Sequence, residues 1–318
     1  MRFINTCSEI VVRDFEDRVI KYAFHDIDGT HSLIREWPPV MSVVLNDVIK
    51  NGLPKGYADE KNVMRLVALA GRKSLPETDK FCVESAGLSA LTQMEWAIRR
   101  GIEEGKISIS CDKELNSEKI REIWQGKEIF DKEDSAELAA YLKENTPKLF
   151  RLYEEVLNKY CRDKNLEDAK TNPKKYQVKG SVEFLKALHD NGVKNYFVTG
   201  AVVEEGKGMF EEVVGLGYEI GEGCLVEALI GSTWEKKLPK DVIMEALAKD
   251  LDANGKEILV IGDGRAEISA GVNMGALTIG RLPKSAIRQR ELQEKLGVHI
   301  LVEDYTSEEL FNMMKSDG

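Results

Sequence analysis

The stretch VIKYAFHDIDGTHS, residues 19–32, poses the question that the rest of the chain answers. Its first six residues are mostly apolar and β-prone. They run into two acids one residue apart, Asp26 and Asp28, then Gly29 and Thr30. A strand covered on both faces reads as a nearly unbroken apolar run, and Asp-Gly is a frequent turn at its end. A turn alone does not require two carboxylates where their charges repel. Chemistry does, if the two acids share a cation and divide the work of one reaction.

Outward from this point the chain shows two textures. After residue 178 β and α alternate: SVEFLKALHDNG (181–192) reads as a helix stopped by Gly192, and VKNYFVTG (193–200) as a strand. The segment DVIMEALAKDL (241–251) is helical, EILVIGDG (257–264), GALTIG (275–280) and VHILVED (298–304) are strands, and SEELFNMM (307–314) is a last helix. Short apolar strands alternating with helices predict a parallel sheet covered on both faces. Near the start, EIVV (9–12) and VIKYAF (19–24) read as strands of the same domain.

Between these parts almost everything has helical spacing. VMSVVLNDVIKNG stops at Gly52, EKNVMRLVALAG stops at Gly71, and LSALTQMEWAIRRG sets Leu88, Leu91, Met94 and Ile98 on one face. NSEKIREIWQG is expected to open with a capping Asn116 or Ser117, and DSAELAAYLKEN with Asp134 or Ser135. KLFRLYEEVLNKYC reads as a separate helix after Pro147. The expectation is an α/β core of residues 1–31 and 175–318 with a three-layer parallel sheet, interrupted by an all-α insertion at residues 32–174.

The 318 residues include 42% hydrophobic and 31% charged, which describes a globular chain, and the net charge of −10 disfavours nucleic-acid or anionic-membrane partners. No apolar run approaches the ~20 residues of a bilayer span. The five cysteines are scattered with no CxxC pair, which argues against a disulfide framework or a zinc site. The opening residues lack the apolar centre of a secretory signal, so a cytoplasmic setting is expected. Oligomeric state is not legible.

In a parallel sheet ligands gather at the carboxyl ends of the strands, and four of these ends carry telling residues. They are Asp26–Thr30, Thr199–Gly200, Lys236 or Lys237 in STWEKKLPKD, and Gly262-Asp263-Gly264 with Glu267 a turn later. Together they suit phosphoryl transfer. Asp26 can attack phosphorus and become an aspartyl-phosphate, while Asp28 protonates the leaving oxygen and later takes a proton from water. Mg2+ would relieve the repulsion, with Asp263 completing its site. Thr199 and the backbone near Gly200 can bind phosphoryl oxygens, and a lysine can offset the shared charge. GAVVEEGKG misses the P-loop spacing and GLGYEIG misses GxGxxG.

The segments HDIDGT, FVTGA, EKKLPKDVIMEAL and LVIGDGRAEISAGVNMGALTIG resemble the four motifs of the haloacid dehalogenase (HAD) superfamily. The resemblance covers the whole α/β portion and implies a Rossmann-like, HAD-type core with a helical cap. It implies Asp26 as nucleophile and Asp28 as general acid/base. Mg2+ is then held by the Asp26 carboxylate, the Asp28 carbonyl and Asp263, with Glu267 as a further acid. Thr199 and Lys236 take the second- and third-motif roles. Thr30, Gly200 and Lys237 are further candidate substrate contacts, as are Glu84 and Gln93 in ESAGLSALTQME, which breaks the helical texture of the insertion. His25 stands where the family often has an apolar residue, and KKLP where it has Lys-Pro-x-Pro. A Mg2+-dependent phosphatase of a small phosphorylated metabolite is the expectation. A phosphomutase, a phosphonate hydrolase or an idle phosphate-binding module remain alternatives, while Asp28 disfavours dehalogenation.

Overall fold

The structure is a computed structural model that describes residues 1–85, 88–127, 134–232 and 238–316. The chain divides into two compact units, one of residues 1–34 and 166–318, the other of residues 35–165.

The first unit is built on a six-stranded sheet. Two short strands, β1 (Arg2–Phe3) and β2 (Arg18–Val19), pair antiparallel and precede the sheet strand β3 (Tyr22–His25). Then come β4 (Lys194–Glu204), β5 (Ala228–Ser232), β6 (Ile258–Gly262), β7 (Leu277–Arg281) and β8 (Ile300–Val302). A ninth strand, β9 (Met314–Lys315), joins β1. The large sheet runs β5-β4-β3-β6-β7-β8 with every pair parallel.

Alternation along the strands explains the layers. Leu259 and Ile261 pack with Ala23, Phe184 and Ile279 on one face, while Ile258 and Val260 pack with Phe24, Ile243 and Met244 on the other. β6 is therefore buried throughout, as its sequence ILVIG requires. β4 and β5 lie on one side of β3, and β6 to β8 on the other. The order thus reverses at β3, and that reversal opens a crevice at the carboxyl ends of β3, β4 and β6.

The second unit is helical, with long helices at Trp37–Asn51, Ala90–Glu103 and Ala136–Leu157 around a core that includes Val44, Phe81, Trp96 and Leu149. The buried Arg99 is paired with Glu95 and Asp134, which meets the demand that a buried charge be neutralised. The segment Leu166–Tyr176 belongs with the sheet unit, because Leu166, Ala169 and Tyr176 pack against Leu185 and Phe197.

Several local expectations are corrected. EIVV forms no strand. A turn closed by Val11 N–H on the Ser8 carbonyl curls it, and Val11 makes a single bridge to Ile300 at the sheet edge. VIKYAF splits between β2 and β3. The helix expected to open at Asn116 or Ser117 begins at Lys113, because the Asp112 carboxylate caps it by accepting the N–H groups of Glu114 and Leu115. Pro147 does not divide two helices; it lies inside Ala136–Leu157, where the apolar stripe Leu138, Leu142, Leu149, Leu152 runs through it unbroken.

Candidate active site

The β3 ladder delivers the first acid: Asp26 N–H donates to the Ile261 carbonyl at 2.9 Å, and its side chain is buried. The chain then folds into a tight turn. The Ile27 carbonyl accepts three N–H groups, from Thr30, His31 and Ser32, at 3.1, 2.8 and 2.9 Å. Gly29 has φ 79° and lies against Asp263, so that a Cβ there would fall 2.0 Å from Asp263 Oδ2. Only glycine meets both conditions. Thr30 Oγ1 donates to Asp26 Oδ2 at 3.1 Å. Asp28 sits on this turn, its backbone bridged to Ser32.

From β6 come the other acids. Asp263 follows the strand, and Glu267 lies on the helix Arg265–Asn273. The flanking glycines have a steric reason: a Cβ on Gly262 would lie 2.7 Å from Glu267 Cβ, and one on Gly264 2.6 Å from Glu267 Oε2. Glycine at both positions admits the fully buried Glu267 carboxylate.

The lysine that meets these acids is Lys240, the first residue of the helix Lys240–Asp250 after Pro239. Its ammonium bonds both Asp26 Oδ1 and Glu267 Oε1. Burial works against this charge, but Asp26 and Glu267 outweigh it and hold the Lys240 pKa above the ordinary lysine value. Burial, followed by the charges of Asp26 and Glu267, pushes the Asp263 pKa well above the carboxylate range. Burial also raises that of Glu267, against the pull of Lys240. Among the described residues three carboxylates thus face one ammonium, and Glu267 Oε2 is buried with no hydrogen-bond partner there.

This excess of hard oxygen donors suits a divalent cation. Among the described residues no three His, Cys, Asp or Glu side chains form a ready-made metal cage. Mg2+ takes one or two carboxylates together with carbonyls and waters, a donor set that the acids at these strand ends can supply. Lys240 takes one oxygen each of Asp26 and Glu267, so the Asp263 carboxylate and the partnerless Glu267 Oε2, with Asp26 beside them, are the side-chain oxygens suited to such an ion.

The remaining sequence candidates divide. Thr199 is buried in the irregular part of β4, where its Oγ1 accepts the Ala201 N–H at 3.1 Å. A Cβ at Gly200 would lie 3.8 Å from Lys240 Cγ, so this strand end borders the lysine. Glu84 accepts a hydrogen bond from Trp124 Nε1 within the helical unit, and Gln93 Nε2 donates to Ser85 Oγ at 2.9 Å. Both are thus engaged by their own unit. Lys236 and Lys237 lie outside the described residues.

Beneath the turn runs a second, uncharged network that sequence reasoning missed, although His25 stood out as a departure. Asn195 Nδ2 donates to the carbonyls of Leu185 and Leu225, so its Oδ1 faces His25 Nε2 at 3.1 Å. His25 Nδ1 meets His31 Nε2 at 2.9 Å, and His31 Nδ1 meets Ser181 Oγ at 2.6 Å. Burial lowers the His25 pKa to about 3 and holds that of His31 well below its usual value. Both rings are neutral, and the chain of partners fixes both with the proton on Nε2.

A family model for haloacid dehalogenase-like hydrolases matches residues 20–275. The chain belongs to that family. The HAD-like match runs through the crevice just described, from β3 to the end of the Glu267 helix. Among solved structures, a candidate beta-phosphoglucomutase from Bacteroides vulgatus aligns with TM-score 0.51 at 14% identity, over 93% of this chain and 91% of its own. A beta-phosphoglucomutase from Clostridium difficile gives 0.48 at 15% identity, over 92% and 96%. A candidate phosphoglycolate phosphatase from Lactobacillus delbrueckii subsp. bulgaricus gives 0.48 at 16% identity, over 90% and 95%. At such identities the first of these speaks to the fold alone. No curated protein matches the sequence. No helix among the described residues is long and apolar enough to cross a membrane.

Proposed function

We propose that this HAD-like hydrolase is a Mg2+-dependent phosphatase of a small phosphorylated metabolite, working through an aspartyl-phosphate on Asp26. The observation that carries the reading is the buried bridge of Lys240 between Asp26 and Glu267, with Asp263 alongside. A buried carboxylate bonded to a fixed ammonium, with a further acid beside it, supports a nucleophilic role for Asp26.

In the first step an Asp26 oxygen bonds to phosphorus and the bond from phosphorus to the substrate oxygen breaks, while protonated Asp28 gives its proton to that oxygen. In the second, Asp28 takes a proton from water as the water oxygen bonds to phosphorus. The bond to Asp26 then breaks, which releases phosphate and restores both carboxyl groups. Lys240 holds the Asp26 carboxylate in place and offsets charge that develops on the phosphoryl oxygens. Thr30 orients Asp26 through Oδ2, and Thr199 with the Gly200 backbone borders the phosphoryl group. Mg2+ held by Asp26, Asp263 and the Asp28 carbonyl would supply the charge neutralisation that lets a phosphate dianion approach. Glu267 holds Lys240 through Oε1, and its Oε2 remains for the ion. We leave the helical unit, with Glu84 and Gln93, the role of a cap that selects the substrate.

The test is hydrolysis of p-nitrophenyl phosphate and a panel of phosphorylated metabolites, with and without EDTA. Loss of turnover in chelator, its return with Mg2+ and near-background rates for Asp26→Asn are expected. Full activity in chelator would sink the reading, and transfer of phosphate between two positions of a sugar without release would make the protein a mutase.

A further inference from the structure

The two opening acids are not held in the same way. Asp26 is fixed by the sheet ladder, through its N–H on Ile261, and by Lys240 and Thr30 at its carboxylate. Asp28 lies beyond the last ladder bond, on a turn whose N–H groups from Thr30 to Ser32 all close inward on the Ile27 carbonyl. Such a turn is stiff in itself. Its orientation on the sheet depends on what holds its outward-facing carbonyls.

Two consecutive carbonyls, those of Gly29 and Thr30, are each held by a side chain from the far half of the sheet. Arg281, the last residue of β7, donates from Nη1 to the Gly29 carbonyl at 2.8 Å. Tyr305, just past β8, donates its hydroxyl to the Thr30 carbonyl at 3.1 Å. The Tyr305 ring is fully buried as the middle layer of a three-ring stack, with Phe184 at 4.7 Å and His31 at 5.1 Å, each 7° from parallel. His31 is pinned in turn by His25 and Ser181. Gly180 makes this possible, since a Cβ there would meet the Tyr305 carbonyl group at 2.6 Å. A fixed carbonyl fixes its whole peptide plane, so two adjacent ones hold the turn, and with it the backbone that carries Asp28, in one orientation.

We propose that Tyr305 and Arg281 are positioning residues for Asp28: by holding the Thr30 and Gly29 carbonyls they aim its carboxyl group at the leaving oxygen and, in the second step, at the attacking water, the step that limits p-nitrophenyl phosphate turnover. This rests on the phosphatase reading above. Neither residue touches the substrate; each acts through the turn. A proton donor must sit within hydrogen-bond reach of the atom it serves, and displacement of that order costs rate steeply.

The test is a double-mutant cycle with p-nitrophenyl phosphate and Mg2+. Tyr305→Phe removes the hydroxyl and leaves the aromatic stack. It should lower kcat roughly tenfold, in line with one lost orienting hydrogen bond, with KM within about twofold. In the Asp28→Asn background, where proton transfer is already gone, the same change should cost less than about threefold. A merely structural Tyr305 would lower kcat by the same factor in both backgrounds, and that result overturns the proposal, as does unchanged kcat in Tyr305→Phe. If Asp28→Asn alone keeps full activity, the phosphatase reading fails and the proposal falls with it. If Asp28→Asn is slow and the two factors agree, only the positioning role falls. Should Tyr305→Phe not fold, Arg281→Met taken through the same cycle decides by the same criteria.

Discussion

Replacing Lys240 by Met removes the ammonium that bridges Asp26 and Glu267 while keeping the length of the side chain. Both carboxylates are almost wholly buried, and Glu267 already has one oxygen without a hydrogen-bond partner. Removing one partner of a buried pair costs about 3–5 kcal/mol, because the other charge stays behind uncompensated. For a unit of this size that is a fall in melting temperature of about 6–20 °C. It is measured without Mg2+, since a bound cation would offset the loss. The rate should fall roughly 10²–10³-fold, the usual cost of one preorganised charge-stabilising group. Stability and chemistry then separate in the double variant. Lys240→Met with Glu267→Gln removes one charge of each sign, so it should recover most of the stability and little of the activity. The assay is thermal unfolding by circular dichroism beside p-nitrophenyl phosphate turnover. A Lys240→Met protein within about 1 kcal/mol of wild type and within threefold in kcat would refute this assignment, and would hand the role to Lys236 or Lys237.

Gly29→Ala should nearly abolish turnover, since the new methyl falls on the Asp263 carboxylate at a φ of 79°; a positive-φ strain of about 1–3 kcal/mol adds to the clash, and activity within threefold of wild type would contradict it. The third expectation concerns pH. Burial, with Arg18 and Arg13 nearby, lowers the His299 pKa from 6.5 to about 4, and its Nδ1 accepts the Thr278 N–H at 3.2 Å, so the folded state holds this ring neutral. The unfolded state binds the proton first, so this stability is complete above pH 6.5 and is lost as pH falls toward 4, at up to about 1.4 kcal/mol per pH unit. Urea unfolding of His299→Gln should show a pH slope shallower by about that amount, and equal slopes would contradict it.

Much of the sheet was legible because buried parallel strands cannot hide: ILVIG, bounded by Glu257 and Asp263, has few other readings. Asp26, Asp263 and the glycines beside Glu267 were legible for a related reason, since short backbone approaches leave glycine as the only option at fixed spacings. The lysine was not. Sequence reading offered Lys236 or Lys237, which lie outside the described residues, whereas Lys240 reaches the strand ends from the first turn of its helix, whose side chains lean back toward the helix start. Arg281 and Tyr305 left no local sign at all, because each acts through a backbone carbonyl more than 250 residues away. The misread helix start at Asp112 and the unbroken helix through Pro147 have a common cause: caps and prolines are weak signals beside a continuous apolar stripe.

The most direct test of the aspartyl-phosphate route is the intact mass of the Asp28→Asn protein after incubation with p-nitrophenyl phosphate and Mg2+. This leaving group needs little protonation, so the first step should proceed while hydrolysis stalls for want of a base. An added mass of about 80 Da that maps to Asp26 and is absent from Asp26→Asn is the expected result. An Asp28→Asn protein that turns over normally without ever carrying that mass, beside an Asp26→Asn protein that remains active, would contradict it.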